Sequence, residues 1–152
     1  VVKNMDVFVF FDVSIPKLQG NLGAHRAVYE YSRLGYNVLW PLCDSAKYDL
    51  VIEKDGKFQR VQVKTSRTNH EYRNVRKDGC INKSLCQTRW NVMLATSGGN
   101  TKINKRIRRA DDDYDILFVL VANGKCWSIP VENIVARSSI VICEDKHLPS
   151  EL

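Results

Sequence analysis

The dipeptide Asp55-Gly56 is the feature that most restricts how this chain can fold. It stands between residues 48–54 and 57–65, two segments in which apolar and polar residues alternate. Asp-Gly between two such segments predicts a β-hairpin with a two-residue turn. A turn centred between Asp55 and Gly56 sets Lys54 opposite Lys57 and, continuing outward, Asp49 opposite Gln62. Leu50, Ile52, Val61 and Val63 then share the face turned to the core, while Asp49, Gln62 and Lys64 share the other. A slip of one residue would bury those three polar side chains instead, so the apolar pattern supports this register independently of the turn.

Around the hairpin the patterns alternate between helix and strand. Ala24, Ala27, Val28, Tyr31 and Leu34 recur at helical spacing over residues 18–34, and Gly35 supplies a stop. Residues 36–40 read as a short strand closed by Pro41. Residues 67–90 are polar, basic and weakly periodic, which suggests an exposed arm or irregular hairpin, with a fourth strand over 90–96. The nearly continuous apolar run 114–122 has the character of a buried strand. Asn123-Gly124 turns the chain into a return strand over 125–129, and Pro130 opens a short helix reaching about residue 136.

With 152 residues, the chain is the size of one domain. We divide it into an N-terminal extension, residues 1–17, and a single domain, residues 18–152, whose basic arm spans about residues 67–109. Hydrophobic residues make up 44% and charged residues 26%, values of a globular protein rather than a disordered one. No apolar run approaches the roughly 20 residues of a membrane helix, and residues 7–11, cut by Asp12, make a poor signal peptide. The expected location is cytoplasmic. Five cysteines, an odd number with no CxxC pair, argue against disulfides and structural zinc. The six-residue step from Cys80 to Cys86, even with His70 nearby, is not a usual ligand spacing.

The charge is concentrated. Residues 60–109 hold 13 basic and 2 acidic side chains, against 3 and 8 in residues 110–152. With Tyr72 and Trp90 interleaved, this basic third is the footprint expected for a polyanion, and nucleic acid is the leading partner. Candidate base-reading residues are Arg73, Asn74, Arg76, Lys77 and Gln87. Arg67 and Arg89 flank them, and Lys102, Lys105, Arg106, Arg108 and Arg109 form a second strip for the phosphate backbone. Asp111, Asp112 and Asp113 are read as solvated residues at a strand entrance.

On the polar face of the hairpin, Asp49, the Gln62 side-chain oxygen and the Val63 carbonyl are hard oxygen donors of the kind magnesium takes. Lys64 beside them could orient a water or stabilise charge on a phosphate. A solvated Asp49–Lys64 pair of little energetic weight accounts for the same spacing equally well.

A wider pattern separates the two readings. Asp49 within YDLVIEKDG and Gln62-Val63-Lys64 within VQVKTS follow a helix that opens with Asn21-Leu22-Gly23 and the run from Gly35 to Pro41. Together they resemble the PD-(D/E)XK nucleases, in particular the group I intron homing endonuclease branch of cyanobacterial type, where Gln often fills the last acidic position. The likeness is good over residues 19–66 and weak at Trp127-Ser128-Ile129-Pro130. It implies an α/β fold with a central mixed sheet flanked by helices. It also implies magnesium-dependent hydrolysis of double-stranded DNA by a homo-oligomer, dimer or tetramer, with Asp49, Gln62 and Lys64 in the catalytic site. One position departs from the family: after Gly23 it usually has Glu, and here Ala24 stands there. Glu30, six residues on, points elsewhere on a helix of 3.6 residues per turn; His25 is the other possible substitute. We therefore expect DNA binding with poor cutting, as in an inactivated variant. A Holliday junction resolvase, a restriction enzyme and a non-catalytic DNA-binding protein on the same fold are the competing readings.

Overall fold

Helix α1 runs from Pro16 to Arg33 in the computed structural model, which describes residues 15–43, 45–67, 69–75, 81–97, 106–107 and 109–144. Of residues 69–75, 81–88, 96–97 and 106–107 the backbone alone is described. The helix opens two residues before Leu18 because Pro16, with its fixed φ and no N–H, suits the first turn. It closes in a Schellman motif: Gly35 takes φ +80°, its N–H donates to the Ser32 carbonyl, and the Tyr36 N–H reaches back to the Tyr31 carbonyl. The rings of Tyr31 and Tyr36 meet edge to face across that turn.

The central sheet has five strands in the order β1-β2-β3-β8-β9, namely Asn37–Leu39, Leu50–Lys54, Lys57–Ser66, Ile116–Val121 and Cys126–Pro130. Strands β3 and β8 are parallel and every other neighbour is antiparallel, so the sheet is mixed, as the resemblance implies. Among the described residues a single α-helix flanks it. The hairpin register is the one expected: Lys54 pairs with Lys57 and Leu50 with Val61, and both Asp55 and Gly56 have the positive φ that a type I′ turn requires. Leu50, Ile52 and Val61 are at most 1% exposed, each such burial contributing about 1.5–3 kcal/mol. All six residues of β8 are buried, which a strand achieves only with both faces covered; Tyr31 of the helix packs on Phe118 from one side.

Of residues 67–90, expected as an exposed arm or irregular hairpin, the described ones are antiparallel strands with an irregular register, as in the second alternative. They form β4 (Asn69–Val75) and the first part of the long strand β5 (Ile81–Met93), paired antiparallel with one register shift between Asn69 and Glu71. Polar residues on both faces conceal the period of two that identifies a strand. The strand expected over 90–96 is the end of β5, and an unforeseen strand β10 (Ser139–Cys143) pairs with it. Two short strands, β6 (Thr96–Ser97) and β7 (Arg106–Ile107), pair with each other. Pro130 ends β9 instead of opening a helix, and a single 3-10 turn, Val131–Asn133, follows.

The helix lies unusually close to β3 at Gly23, where a Cβ would stand 2.5 Å from Thr65 Cγ2 and 3.2 Å from Val63 Cγ1. Both neighbours are β-branched and stiff, so neither can turn away cheaply. Gly20, one turn earlier, has no such neighbour within 4 Å. Gly23→Ala is accordingly expected to lower stability by about 1–2 kcal/mol in urea titrations through overpacking. Gly20→Ala should raise it by about 0.5–1 kcal/mol through helix propensity.

Candidate active site

The register places Asp49 at the mouth of the hairpin, where its N–H donates to the Val61 carbonyl (2.9 Å). Its carboxylate folds back on β3: Asp49 Oδ2 accepts from the Val63 N–H (2.6 Å) and from Gln62 Nε2 (2.5 Å). The same Gln62 nitrogen lies 3.3 Å from the Val63 carbonyl oxygen. A carboxylate and a carbonyl thus both face the amide nitrogen. Half a rotation of that amide would set its oxygen beside Asp49 Oδ2 and the Val63 carbonyl, a crowding of acceptors that a cation among them would relieve. The Asp49 carboxylate, the Val63 carbonyl and Gln62 Oε1 then make a set of hard oxygen donors suited to a divalent cation.

Burial penalises both charges of the site. Burial pushes the Asp49 carboxyl above the usual carboxylate range, against the pull of the Val63 N–H, the Lys64 charge and the Gln62 side chain. Burial likewise pushes the Lys64 ammonium down, and Asp49 opposes that shift. Each charge is held partly out of water and each favours the other, the arrangement in which an added cation or phosphate is felt most strongly.

Asp49 and Val63 line one side of a cavity of about 400 Å³. Gly20, Asn21 and Ala24 of α1 form another side, and Trp40, Pro41 and Tyr48 a third. Ala24, one residue beyond the close contact at Gly23, therefore borders the same space as Asp49. A longer side chain at position 24 has room to enter that space. Neither proposed substitute faces it. Glu30 is 5% exposed and is held by Arg26 (2.7 Å) and Arg33 (3.2 Å), and the Nδ1–H of His25 donates to the Asn21 carbonyl (2.7 Å) while its ring neighbours that of Trp40. Among the described residues no three His, Cys, Asp or Glu side chains gather closely enough to hold a metal.

The basic residues divide. Arg73 and Asn74 lie on β4, Gln87 and Arg89 on β5, Arg106 on β7, and Arg67 is exposed just past the end of β3. Arg76, Lys77, Lys102, Lys105 and Arg108 lie outside the described residues. Two assignments need correcting. Arg109, placed with the phosphate strip, is 4% exposed; its guanidinium donates to the Ile134 carbonyl (2.8 Å), pairs with Asp111 (3.3 Å) and lies over the Tyr114 ring. Trp90, counted with the basic third, is a core residue 2% exposed whose indole N–H donates to Glu144 (2.7 Å). Charge and aromaticity alone do not distinguish an inward side chain from an outward one. The aspartate run is as expected: Asp111 and Asp112 are exposed, and Asp113 accepts the Ala110 N–H at the entrance to β8. Trp40 and Tyr48 were not foreseen as lining residues. Trp40 stands in the run that carried the resemblance, and nothing in its spacing gave it a role.

Comparison with known proteins gives concordant results. Protein 5.3 of Escherichia phage T7 is 39% identical over 67 residues, which is 41% of this chain and 57% of that protein, so the match spans little more than half of the curated relative. The structure of a bacterial homing endonuclease, I-Ssp6803I, superposes with a TM-score of 0.62 over 90% of this chain and 83% of that one; at 24% identity this is a likeness of fold. Residues 15–148, a range that contains every described residue, match the PD-(D/E)XK endonuclease family, whose nucleases generally use divalent metal ions. With that match and the hairpin site in place, the chain belongs to the PD-(D/E)XK endonuclease family.

Proposed function

We propose that this nuclease is a magnesium-dependent, site-specific endonuclease of double-stranded DNA, of the intron-homing kind, that works as a homo-oligomer and is impaired by Ala24. The observation that carries the reading is that the Asp49 carboxylate and the Val63 carbonyl both face the Gln62 side-chain amide, with Lys64 next to Gln62 on the same face of β3. A bound magnesium ion would polarise the phosphodiester and lower the pKa of a water. The protein's own residues do the rest. Asp49, Gln62 and Val63 would hold the ion, and Lys64 would steady the charge that builds on the phosphate. One site per chain and two strands to cut call for paired copies on a symmetric target.

The β4–β5 ribbon is the proposed DNA-facing arm. Arg73 pairs in register with Lys83, and Asn74 with Asn82. Two basic positions at one level of the ribbon concentrate positive charge of the kind a polyanion attracts. A two-stranded ribbon also fits the major groove, where the amides of Asn74 and Gln87 could read adenine edges. Arg67, Arg76, Lys77, Arg89, Lys102, Lys105, Arg106 and Arg108 complete the proposed set, without Arg109.

The experiment that tests the site is calorimetric titration with magnesium. Asp49→Asn keeps the shape of the side chain and removes its charge, and should weaken magnesium binding at least about 10-fold, the scale of a lost metal-site contact. Equal binding by the parent and the variant would sink the metal site. A second reading, a non-catalytic DNA-binding protein on the nuclease fold, is favoured by Ala24; it wins if the chain binds DNA but no restoration at position 24 makes it cut.

A further inference from the structure

The cavity beside Asp49 has a wall that the hydrolytic chemistry does not use. Trp40 is 52% exposed although it is among the largest apolar side chains in the chain, and it borders the same space as Asp49 and Val63. Its indole is flanked on one side by His25, whose ring centroid lies 6.0 Å away and whose Nδ1 is tied to the Asn21 carbonyl. The indole thus has an aromatic neighbour on one side while half of its surface faces solvent. The other two tryptophans, Trp90 and Trp127, are each 2% exposed in the core. Tyr48, half-buried, and Pro41 extend the same wall, and a cavity of about 400 Å³ falls in the size range of small-ligand sites.

We propose that Trp40 is a stacking platform for one unpaired nucleobase next to the phosphate that the Asp49 site cuts, so that the favoured DNA has a base already out of the helix, or easily taken out, beside the scissile bond. The proposal rests on the DNA-cleavage reading of the preceding section and names its substrate class more closely. A flat, half-exposed indole is a sequence-tolerant partner for any base. Its neighbour Asp49 sets where along the strand that base must lie. Fully paired DNA cannot offer a base to this wall without first breaking its own stacking and pairing, which costs a few kcal/mol. A bulge, gap or mismatch at the cut position has met part of that cost already.

The test uses the intact chain and DNA duplexes that are either fully paired or carry a single unpaired thymine. Binding is followed by anisotropy of labelled DNA in parallel with tryptophan fluorescence. Because Trp90 and Trp127 are buried, quenching on DNA addition reports mainly on Trp40. The bulged duplex should quench the emission and bind more tightly than the paired one. In Trp40→Ala that preference should fall by about 5- to 100-fold, the range one stacked base commands, and Trp40→Phe should restore part of it. The readout is the ratio of the two affinities, so a general loss of binding cancels. An unchanged ratio in Trp40→Ala, or quenching equal for both duplexes, overturns the platform. Failure of the parent chain to bind either duplex would instead count against the DNA reading itself, which the anisotropy arm shows directly.

Discussion

Ala24→Glu is expected to raise magnesium-dependent nicking of plasmid DNA by at least about 100-fold, the scale at which a missing metal-site carboxylate acts on affinity and rate. The geometry favours a gain over a loss. Position 24 borders the cavity that Asp49 lines, so the new side chain has room and need not enter the packed seam where Gly23 meets Thr65. The sign of the stability effect is also set. Two carboxylates facing one space repel, and Asp49 is already pushed up by burial, so without metal the variant should melt below its parent. Magnesium should reverse that order, because a ligand bound only by the folded state stabilises it. Thermal melts in chelator and in magnesium check this without any cleavage assay. A variant that melts lower in both conditions and never cuts would place the chain among non-catalytic binders.

In the Ala24→Glu background, Lys64→Met is expected to reduce cutting by about 100- to 1000-fold, the usual effect of removing one pre-positioned group that stabilises transition-state charge. Methionine keeps much of the length and the apolar stem, so a lost fold is not the expected cause. A second consequence follows in the parent chain. The Lys64 charge pulls the Asp49 carboxyl down against the upward push of burial. Its removal should raise Asp49 further, and NMR titration of the carboxyl carbon reads that directly. The linkage has a definite sign. A carboxyl raised above its unfolded value contributes stability only as pH falls through its folded pKa toward the unfolded one, and it opposes folding above that window. Lys64→Met should therefore gain stability relative to the parent as pH falls through the raised Asp49 value. A stability difference that is constant with pH would mean Lys64 acts through packing alone.

The parts of this molecule that are local in cause were legible before any coordinates. Asp55-Gly56 and the alternation on either side define the hairpin, hence the pairing of Leu50 with Val61 and the approach of Asp49 to Gln62 and Lys64. Gly35 marks the helix end, and the apolar run containing Ile116–Val121 is the buried strand it resembles. These features follow from φ preferences and from periods of two or 3.6 residues, which a few neighbouring residues carry by themselves.

The remainder depended on which distant segments meet. That β3 lies parallel to β8, that β10 closes on β5, and that the described parts of the polar stretch after Ser66 pair as antiparallel strands are outcomes of non-local pairing. So is the fate of single side chains: Arg109 and Trp90 carry the residue types of a DNA-binding surface, yet the tertiary fold turns both inward and supplies partners there. Conversely, Trp40 is left at the rim of the Asp49 cavity because the close seam between α1 and β3 at Gly23 brings Ala24 and Asn21 across from it. By itself the sequence determined the hairpin, its register and the identity of the groups on its polar face, because backbone geometry within a dozen residues leaves few choices. Only the tertiary structure decided that Arg109 and Trp90 turn inward and what surrounds Asp49, because burial is a property of the assembled layers and no short segment contains it.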